Sequence, residues 1–225
     1  PLEAGQSLGT LSGSSRDLLV VERPLLNLVA RLSGIATLTR QFVDEVAGSE
    51  VRIYDTRKTT PGWRRLEKYA VRCGGGYNHR AGLFDGILVK DNHLATSNGE
   101  QPASPAAALE KVRAFIDQAQ GEYPMLENLL VEVEVDTLEQ LADVLPANPD
   151  IVLLDNMSAE MLREAVACRN QLSPATELEA SGGVTLGQLA AIAESGVERI
   201  SAGALTHSAT ALDIGLDWLD GHQAD

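Results

Sequence analysis

From Leu129 to Leu205 the chain alternates between two patterns on a nearly fixed beat. LLVEVEVD, IVLLDN, ELEASGG and RISAGAL read as short apolar strands, while LEQLADVL, AEMLREAVACRN and LGQLAAIAESG between them carry helical spacing. The strands end near Asp136, Asn156, Gly182 and Gly203, in steps of 20, 26 and 21 residues. Each step holds one strand and one helix. Strands joined through helices run parallel and cross over right-handed, which restricts the chain to an open doubly wound sheet or a βα barrel. Spacing of this kind, with aromatics at 4%, excludes a β-sandwich.

The first half supplies further elements of the same kind. VRIYD and GILVK are strand-like, and a helix is expected from about Pro105 to Gln120. Ahead of them Leu25, Leu28, Val29, Leu32, Ile35, Ala36, Phe42, Val43 and Val46 recur at three- and four-residue steps. That spacing predicts a long amphipathic helix from Pro24 to Val46, with Pro24 in the first turn and Gly48 past the end.

The barrel is favoured because ligand-type residues stand at the C-terminal ends of six strands. Arg57 and Lys58 follow VRIYD, Lys90 follows GILV, Glu134 sits late in LLVEVEV, Asp155 follows IVLL, Ser181 to Gly183 follow ELEA, and Gly203 follows RISA. In a βα barrel these positions converge on one mouth, where active sites are built. The expected fold class is therefore α/β, an open or incomplete βα barrel of the TIM type.

Charge narrows the ligand. The formal net charge is −14, yet Arg52 to Lys90 holds nine of the 18 Lys and Arg against three acids. A focused positive field in an acidic chain suits a small anion; nucleic acid would reward a basic face spread over a domain, and is not expected as a partner. No apolar run approaches the ~18 residues that cross a bilayer, and no signal peptide is legible, so the expected setting is cytoplasmic, with no membrane partner. Cys73 and Cys168 lie far apart without metal-site spacing and read as free thiols.

The candidate residues follow from their chemistry. Arg57, His79 and Arg80 offer donors to carboxylates, the guanidinium fork matching both oxygens. Lys58 and Lys90 are compact charges suited to phosphate oxygens, and a lysine directly after Gly-Ile-Leu-Val needs an anion beside it. Glu134 and Asp155 end successive strands, where a carboxylate is costly unless it meets a cation, ribose hydroxyls or a developing positive charge. Glu132 shares the face of Glu134, so alternation by itself does not exclude it. Ala180-Ser-Gly-Gly183 and Ser201-Ala-Gly-Ala204 each close a strand and are expected to open a helix, making a phosphate cradle of bare amides. His207, four residues past Gly203, lies within reach of that phosphate. His93 reads as a structural residue at a loop start.

Taken together, RPLLNLVARLSGIAT, YDTRKTTPGWRRLEKYAVRCGGGYNHR, ILVKDNH, VEVEVD, IVLLDN, EASGG and ISAGALTHSA resemble the quinolinate phosphoribosyltransferase family, whose members are also called nicotinate-nucleotide pyrophosphorylases (carboxylating). The resemblance runs from about Ala4 to the end of the chain. It implies transfer of a phosphoribosyl group from phosphoribosyl pyrophosphate to the ring nitrogen of quinolinate, with loss of CO2 and pyrophosphate, giving nicotinate mononucleotide for NAD biosynthesis. By the family's motifs, Arg57, His79 and Arg80 would hold the two quinolinate carboxylates, with Thr56 nearby. Lys58 and Lys90 would face pyrophosphate and substrate charge. Glu134 and Asp155 would meet the ribose and a Mg²⁺ ion carried with the donor. Ser181, Gly182, Gly183, Ala202, Gly203, Ala204 and His207 would take the 5-phosphate.

Arg23 matches a residue that reaches into a neighbouring subunit's site, so a homodimer with shared active sites, or a larger assembly of such dimers, is implied. The resemblance also assigns 1–22 to the tail of an N-terminal α/β sandwich domain, 23–50 to a connecting helix, 51–207 to the catalytic barrel and 208–225 to a C-terminal helix. The rival readings are a nicotinate-using or molybdenum-associated protein of the same architecture, and an anion-binding protein that keeps the phosphate cradle without chemistry.

Overall fold

A computed structural model of the chain describes residues 2–96, 104–124, 126 and 129–218. Six strands alternate with helices: β1 (Arg52–Tyr54), β2 (Ile87–Val89), β3 (Val131–Val135), β4 (Ile151–Asp155), β5 (Glu177–Ser181) and β6 (Arg199–Ser201). All pair in parallel, in the order β1-β6-β5-β4-β3-β2. Every strand but one thus lies beside its successor. The ring of strands closes through the β1–β6 pair and stays open between β1 and β2, an open βα barrel. Tyr77 partly fills the seam: its amide donates to the Ile53 carbonyl at 2.7 Å, and its carbonyl accepts from the Asp55 amide at 3.1 Å.

Register divides the strand residues cleanly into two faces. Val133 aligns with Val152 and Leu178, and Val135 with Leu154, Ala180, Ile200 and Ile53 in turn. These apolar residues face outward and join the hydrophobic core formed against the helices. The alternate row, Glu134, Leu153, Glu179, Arg199 and Arg52, faces inward. The barrel interior is therefore polar, and the apolar core is the layer around it.

Helices α2 (Arg64–Cys73), α4 (Pro105–Ala119), α5 (Leu138–Val144), α6 (Ala159–Leu172) and α7 (Leu189–Ala193) supply that layer, with the shorter α3 (Asp91–Thr96) and α8 (Ala204–His207) at strand ends. Their starts follow local rules: Ser104, Thr137 and Ser158 each accept a backbone N–H of the first turn. Burial of Leu109, Leu141, Leu162 and Leu189 seats α4 to α7. Truncating one such leucine to alanine costs about 2–5 kcal/mol.

Two boundaries differ from expectation. The long helix α1 runs Ser15–Glu45, capped by Ser14, whose hydroxyl accepts the Asp17 amide at 3.2 Å. It begins well before Pro24, which sits in its interior at an exposed position where the missing N–H and the ring meet solvent. Residues 15–22 are thus helix, while 2–14 are not. Residues 208–218 form no helix, correcting that part of the expected 208–225 helix; 219–225 lie outside the described residues. Instead the segment lies on α1, where the Leu212 amide donates to the Ala30 carbonyl at 3.0 Å. Gly34 permits this approach, since a Cβ there would stand 2.0 Å from the Thr210 carbonyl oxygen.

Both cysteines are free, and among the described residues no helix is long and apolar enough to cross a membrane.

Candidate active site

The loops that follow β1 and β6 are tied together at one end of the barrel. After β1 the chain passes through Asp55, Thr56, Arg57 and Lys58. The Thr206 hydroxyl of α8 donates to the Lys58 carbonyl at 2.7 Å. Arg31 of α1 donates to the carbonyls of Thr206 and Ala209 and to the buried Glu67 carboxylate, whose Oε2 accepts the Thr60 amide at 3.0 Å. Each hydrogen bond to such a charged group contributes about 1.5–3 kcal/mol. Arg57 and Lys58 therefore leave a fixed loop, with exposed side chains.

The Asn78-His79-Arg80 run is held with equal firmness. Asp55, fully buried, accepts Lys68 Nζ and the His79 amide (2.8 Å) at Oδ1 and Asn78 Nδ2 (2.7 Å) at Oδ2. Lys68 also donates to the His79 carbonyl at 2.8 Å. Burial pushes the Asp55 carboxyl up and the Lys68 amine down, each opposed by the pair's own attraction. Neither residue stands out in the sequence, although DTRK begins with this aspartate.

The His79 ring turns into the barrel. Its Nε2 lies 3.0 Å from Glu132 Oε2 and 3.3 Å from Glu179 Oε1, and its Nδ1 accepts the Arg80 amide at 2.8 Å. Burial pulls the imidazole toward neutrality; the hydrogen bonds to Glu132 and Glu179 more than reverse this, raising its pKa to about 9. Glu179 in turn accepts Arg199 Nε at 2.6 Å, and the Arg199 guanidinium lies over the Tyr54 ring, 3.8 Å from its centroid. Burial drives the Glu132 carboxyl up, while contacts with His79 and Arg199 outweigh burial at Glu179 and hold it down.

Arg80 is half-buried and donates Nη1 to the Gly86 carbonyl at 3.1 Å. Its pKa is lowered by burial and then by the neighbouring positive charge of Arg57. Two guanidinium groups that repel one another at the barrel mouth are a preformed seat for an anion with more than one negative group.

Lys90 forms an ion pair with Glu134 across the β2–β3 junction, both inward at the strand ends. Asp155, on the next strand, accepts Asn156 Nδ2 at 2.6 Å. Both carboxylates offer hard oxygen donors of the type Mg²⁺ takes, and Glu134 is already neutralised by Lys90.

The glycine loops close the site. Gly182 and Gly183 have φ of +93° and +58°, and the Ser201 hydroxyl donates to Ser181 Oγ at 3.0 Å. The helix after Gly183 starts later than expected: Val184 and Thr185 intervene before a 3₁₀ turn at Leu186–Gln188 and the short α7. Gly183 is thus not a helix N-terminus, because the Thr185–Gln188 capping box fixes the start instead. At Gly203, a Cβ would stand 2.9 Å from Lys58 Cδ and 3.1 Å from His207 Nε2, so both side chains lie against the bare backbone there. Ala202 is buried and Ala204 begins α8.

The structure thus brings Thr56, Arg57, Lys58, Arg80, Lys90, Glu134, Asp155, Ser181 to Gly183, Ala202 to Ala204 and His207 to one end of the barrel. Arg23 lies on the exposed N-terminal half of α1, 3.5 Å from Glu22, and within this chain it is not brought to them. His93 accepts the Lys90 amide at Nδ1.

Known proteins with this arrangement are close in sequence. Residues 35–217 match the family described as quinolinate phosphoribosyl transferase, C-terminal domain. A nicotinate-nucleotide pyrophosphorylase [carboxylating] of Mycobacterium leprae is 48% identical over 216 residues, 96% of this chain and 71% of that protein. A probable one of Bacillus subtilis is 46% identical over 217 residues, 96% of this chain and 69% of that protein. A crystal structure of nicotinate-nucleotide pyrophosphorylase from Ehrlichia chaffeensis superposes with a TM-score of 0.74 at 42% identity, over 89% of this chain and 66% of that one. This chain therefore spans about two thirds of the length of these relatives. By its barrel, its mouth residues and these likenesses, the chain belongs to the quinolinate phosphoribosyl transferase family.

Proposed function

We propose that this chain transfers a phosphoribosyl group from phosphoribosyl pyrophosphate to quinolinate, releasing pyrophosphate and CO2 and forming nicotinate mononucleotide in NAD biosynthesis. The observation that carries the reading is the repulsive Arg57–Arg80 pair beside the seam, a site whose electrostatics call for a dianion such as a dicarboxylate. The curated relatives of similar sequence bear the name of this activity.

The residues suit the chemistry. Arg57 and Arg80 take the two carboxylates and set the ring nitrogen in line with the anomeric carbon of the donor. As the nitrogen attacks, the carbon–oxygen bond breaks and pyrophosphate leaves with the electron pair, passing Lys58. The inward carboxylates of Glu134 and Asp155 stabilise the oxocarbenium-like centre between bonds. Once the nitrogen is substituted and positive, the adjacent carboxylate leaves as CO2; its bonding pair stays on the ring carbon, stabilised by that charge, until a proton replaces it. No side-chain nucleophile takes part. Gly182, Gly183 and Gly203, with Ser181 and His207, receive the 5-phosphate.

Mg²⁺ would accompany the donor and offset the pyrophosphate charge. Because Glu134 is paired with Lys90, Asp155 and the donor's own oxygens are the better ligands. The active unit proposed is a homodimer in which Arg23 of each copy completes the other's site, in keeping with its exposed place on α1.

The test is a turnover assay with quinolinate, phosphoribosyl pyrophosphate and Mg²⁺, following nicotinate mononucleotide and CO2, with nicotinate as the alternative acceptor. Product from quinolinate alone supports the reading; product from nicotinate alone, or none, overturns it.

A further inference from the structure

Arg57 and Arg80 reach the mouth on separate loops, 23 residues apart in the sequence, and their guanidinium groups repel one another. Loops bearing like charges separate unless their main chains are tied. Arg64, the first residue of α2, supplies the tie. Its Nη2 donates to the Arg57 carbonyl at 3.1 Å, its Nη1 to the Ala81 carbonyl at 2.9 Å and its Nε to the Thr59 hydroxyl at 3.0 Å. One rigid plane thus holds the residue that carries the first guanidinium and the residue next to the one that carries the second. Only a guanidinium has this fixed fork of donors; an ammonium is a single point.

The second loop is held from its other side as well. Asp85 accepts the Ala81 amide at Oδ2 (2.7 Å) and the Gly82 amide at Oδ1 (2.9 Å). Ala81 is therefore gripped at its carbonyl by Arg64 and at its amide by Asp85. The requirements of α2 do not account for Arg64, because a cation in the first turn meets the positive end of the helix dipole. All three of its hydrogen-bond partners lie outside α2, on the loops that carry Arg57 and Arg80.

We infer that Arg64, braced by Asp85, sets the spacing between Arg57 and Arg80, and so selects an acceptor whose two carboxylates stand on adjacent ring carbons. Both act as positioning residues, through main-chain atoms of the two loops. A site that reads two carboxylates with two guanidinium groups is sensitive to such spacing, since a misplacement of about 1 Å costs up to about a hundredfold. A monocarboxylate meets one guanidinium at a time and is indifferent to it.

This inference rests on the proposed quinolinate site, and calorimetric titration of the full chain keeps the two apart. Wild-type protein that binds no quinolinate overturns that reading and the inference with it. Given wild-type binding, each protein is titrated with quinolinate, with nicotinate and with phosphoribosyl pyrophosphate and Mg²⁺. Arg64→Lys is expected to raise the quinolinate Kd by about tenfold, while nicotinate and phosphoribosyl pyrophosphate stay within about twofold of wild type. Arg64→Gln should match it, because both variants lose the fork and only one loses the charge. Wild-type quinolinate affinity in Arg64→Lys, with a loss in Arg64→Gln, would make Arg64 a source of charge alone and overturn the inference. Equal losses for all three ligands would mark a general brace of the fold and overturn it too. Should the Arg64 variants fail to fold, Asp85→Asn, on an exposed loop, decides. A quinolinate Kd raised several-fold with the other two unchanged supports the positioning role, and a wild-type Kd ends it.

Discussion

Lys58 lies against the backbone of Gly203, its Cδ 2.9 Å from where a Cβ would stand, with His207 Nε2 at 3.1 Å on the same spot. The loop after the first strand thereby meets the loop after the last, at the point where the ring of strands closes. Gly203→Ala would push aside two flexible side chains and no backbone. Its expected outcome is a melting temperature within a few degrees of wild type, together with a several-fold loss of affinity for phosphoribosyl pyrophosphate. A large fall in melting temperature would show that Gly203 serves packing instead.

Gly182 is the contrasting case. Its φ is +93°, and a Cβ would stand 2.7 Å from the Asn156 backbone nitrogen, which cannot move without breaking the β4–β5 register. Gly182→Ala is expected to destabilise the fold by about 1–3 kcal/mol, read by denaturant unfolding. Equal unfolding midpoints for wild type and variant would contradict this.

Arg80→Lys keeps the charge and removes the planar fork. The apparent constant for quinolinate should rise by about an order of magnitude or more, with kcat changed less, because a single ammonium cannot meet two carboxylate oxygens in one plane. An unchanged constant would sink the role given to Arg80.

Asp55→Ala leaves Lys68 buried with no carboxylate and frees the His79 amide at once. Breaking a buried pair from one side costs about 3–5 kcal/mol. Calorimetric unfolding checks this, and Asp55→Asn, which can still accept from the His79 amide, should lose less.

The pH dependence follows from the triad around His79. Its imidazole titrates at about 9 in the folded chain, against about 6.5 when unfolded. A group that holds its proton more tightly in the fold stabilises it fully below about 6.5, and that contribution is lost as pH rises through about 9. The charges that face the ring are Glu132 on β3, Glu179 on β5 and, behind them, Arg199 on β6. The melting temperature should therefore decline from pH 6.5 to 9, and Glu132→Gln, which removes one of the two carboxylates that hold the imidazolium, should flatten the decline. A wild-type profile flat across that window would count against a charged His79.

Much of this was legible in the residues. The beat of strands and helices followed from local hydrogen bonding and apolar spacing, and IVLLD and ELEAS became the strands their composition predicts. The strand-end residues converged because parallel strands point their C-terminal ends the same way. The start of helix α1 is hidden in the residues, because Pro24 imitates a first-turn residue and the Ser14 cap lies among turn-like neighbours. The helix after Gly183 starts later than its glycines suggest for a similar reason: the glycines mark a turn, and Thr185 marks the helix.

The buried network was not legible. Glu132 and Glu179 stand 47 residues apart and meet only because β3, β4 and β5 pair in a register that turns both inward toward a histidine arriving through the open seam. Sequence by itself determined the elements, their parallel order and the identity of the charges at the mouth, because periodicity and strand polarity are local properties. Tertiary structure alone decided that the interior would be polar and that His79 would face it and not solvent. The reason is that a charge is tolerated inside only when its partner comes from another strand at hydrogen-bonding distance, and that distance is set by register and closure.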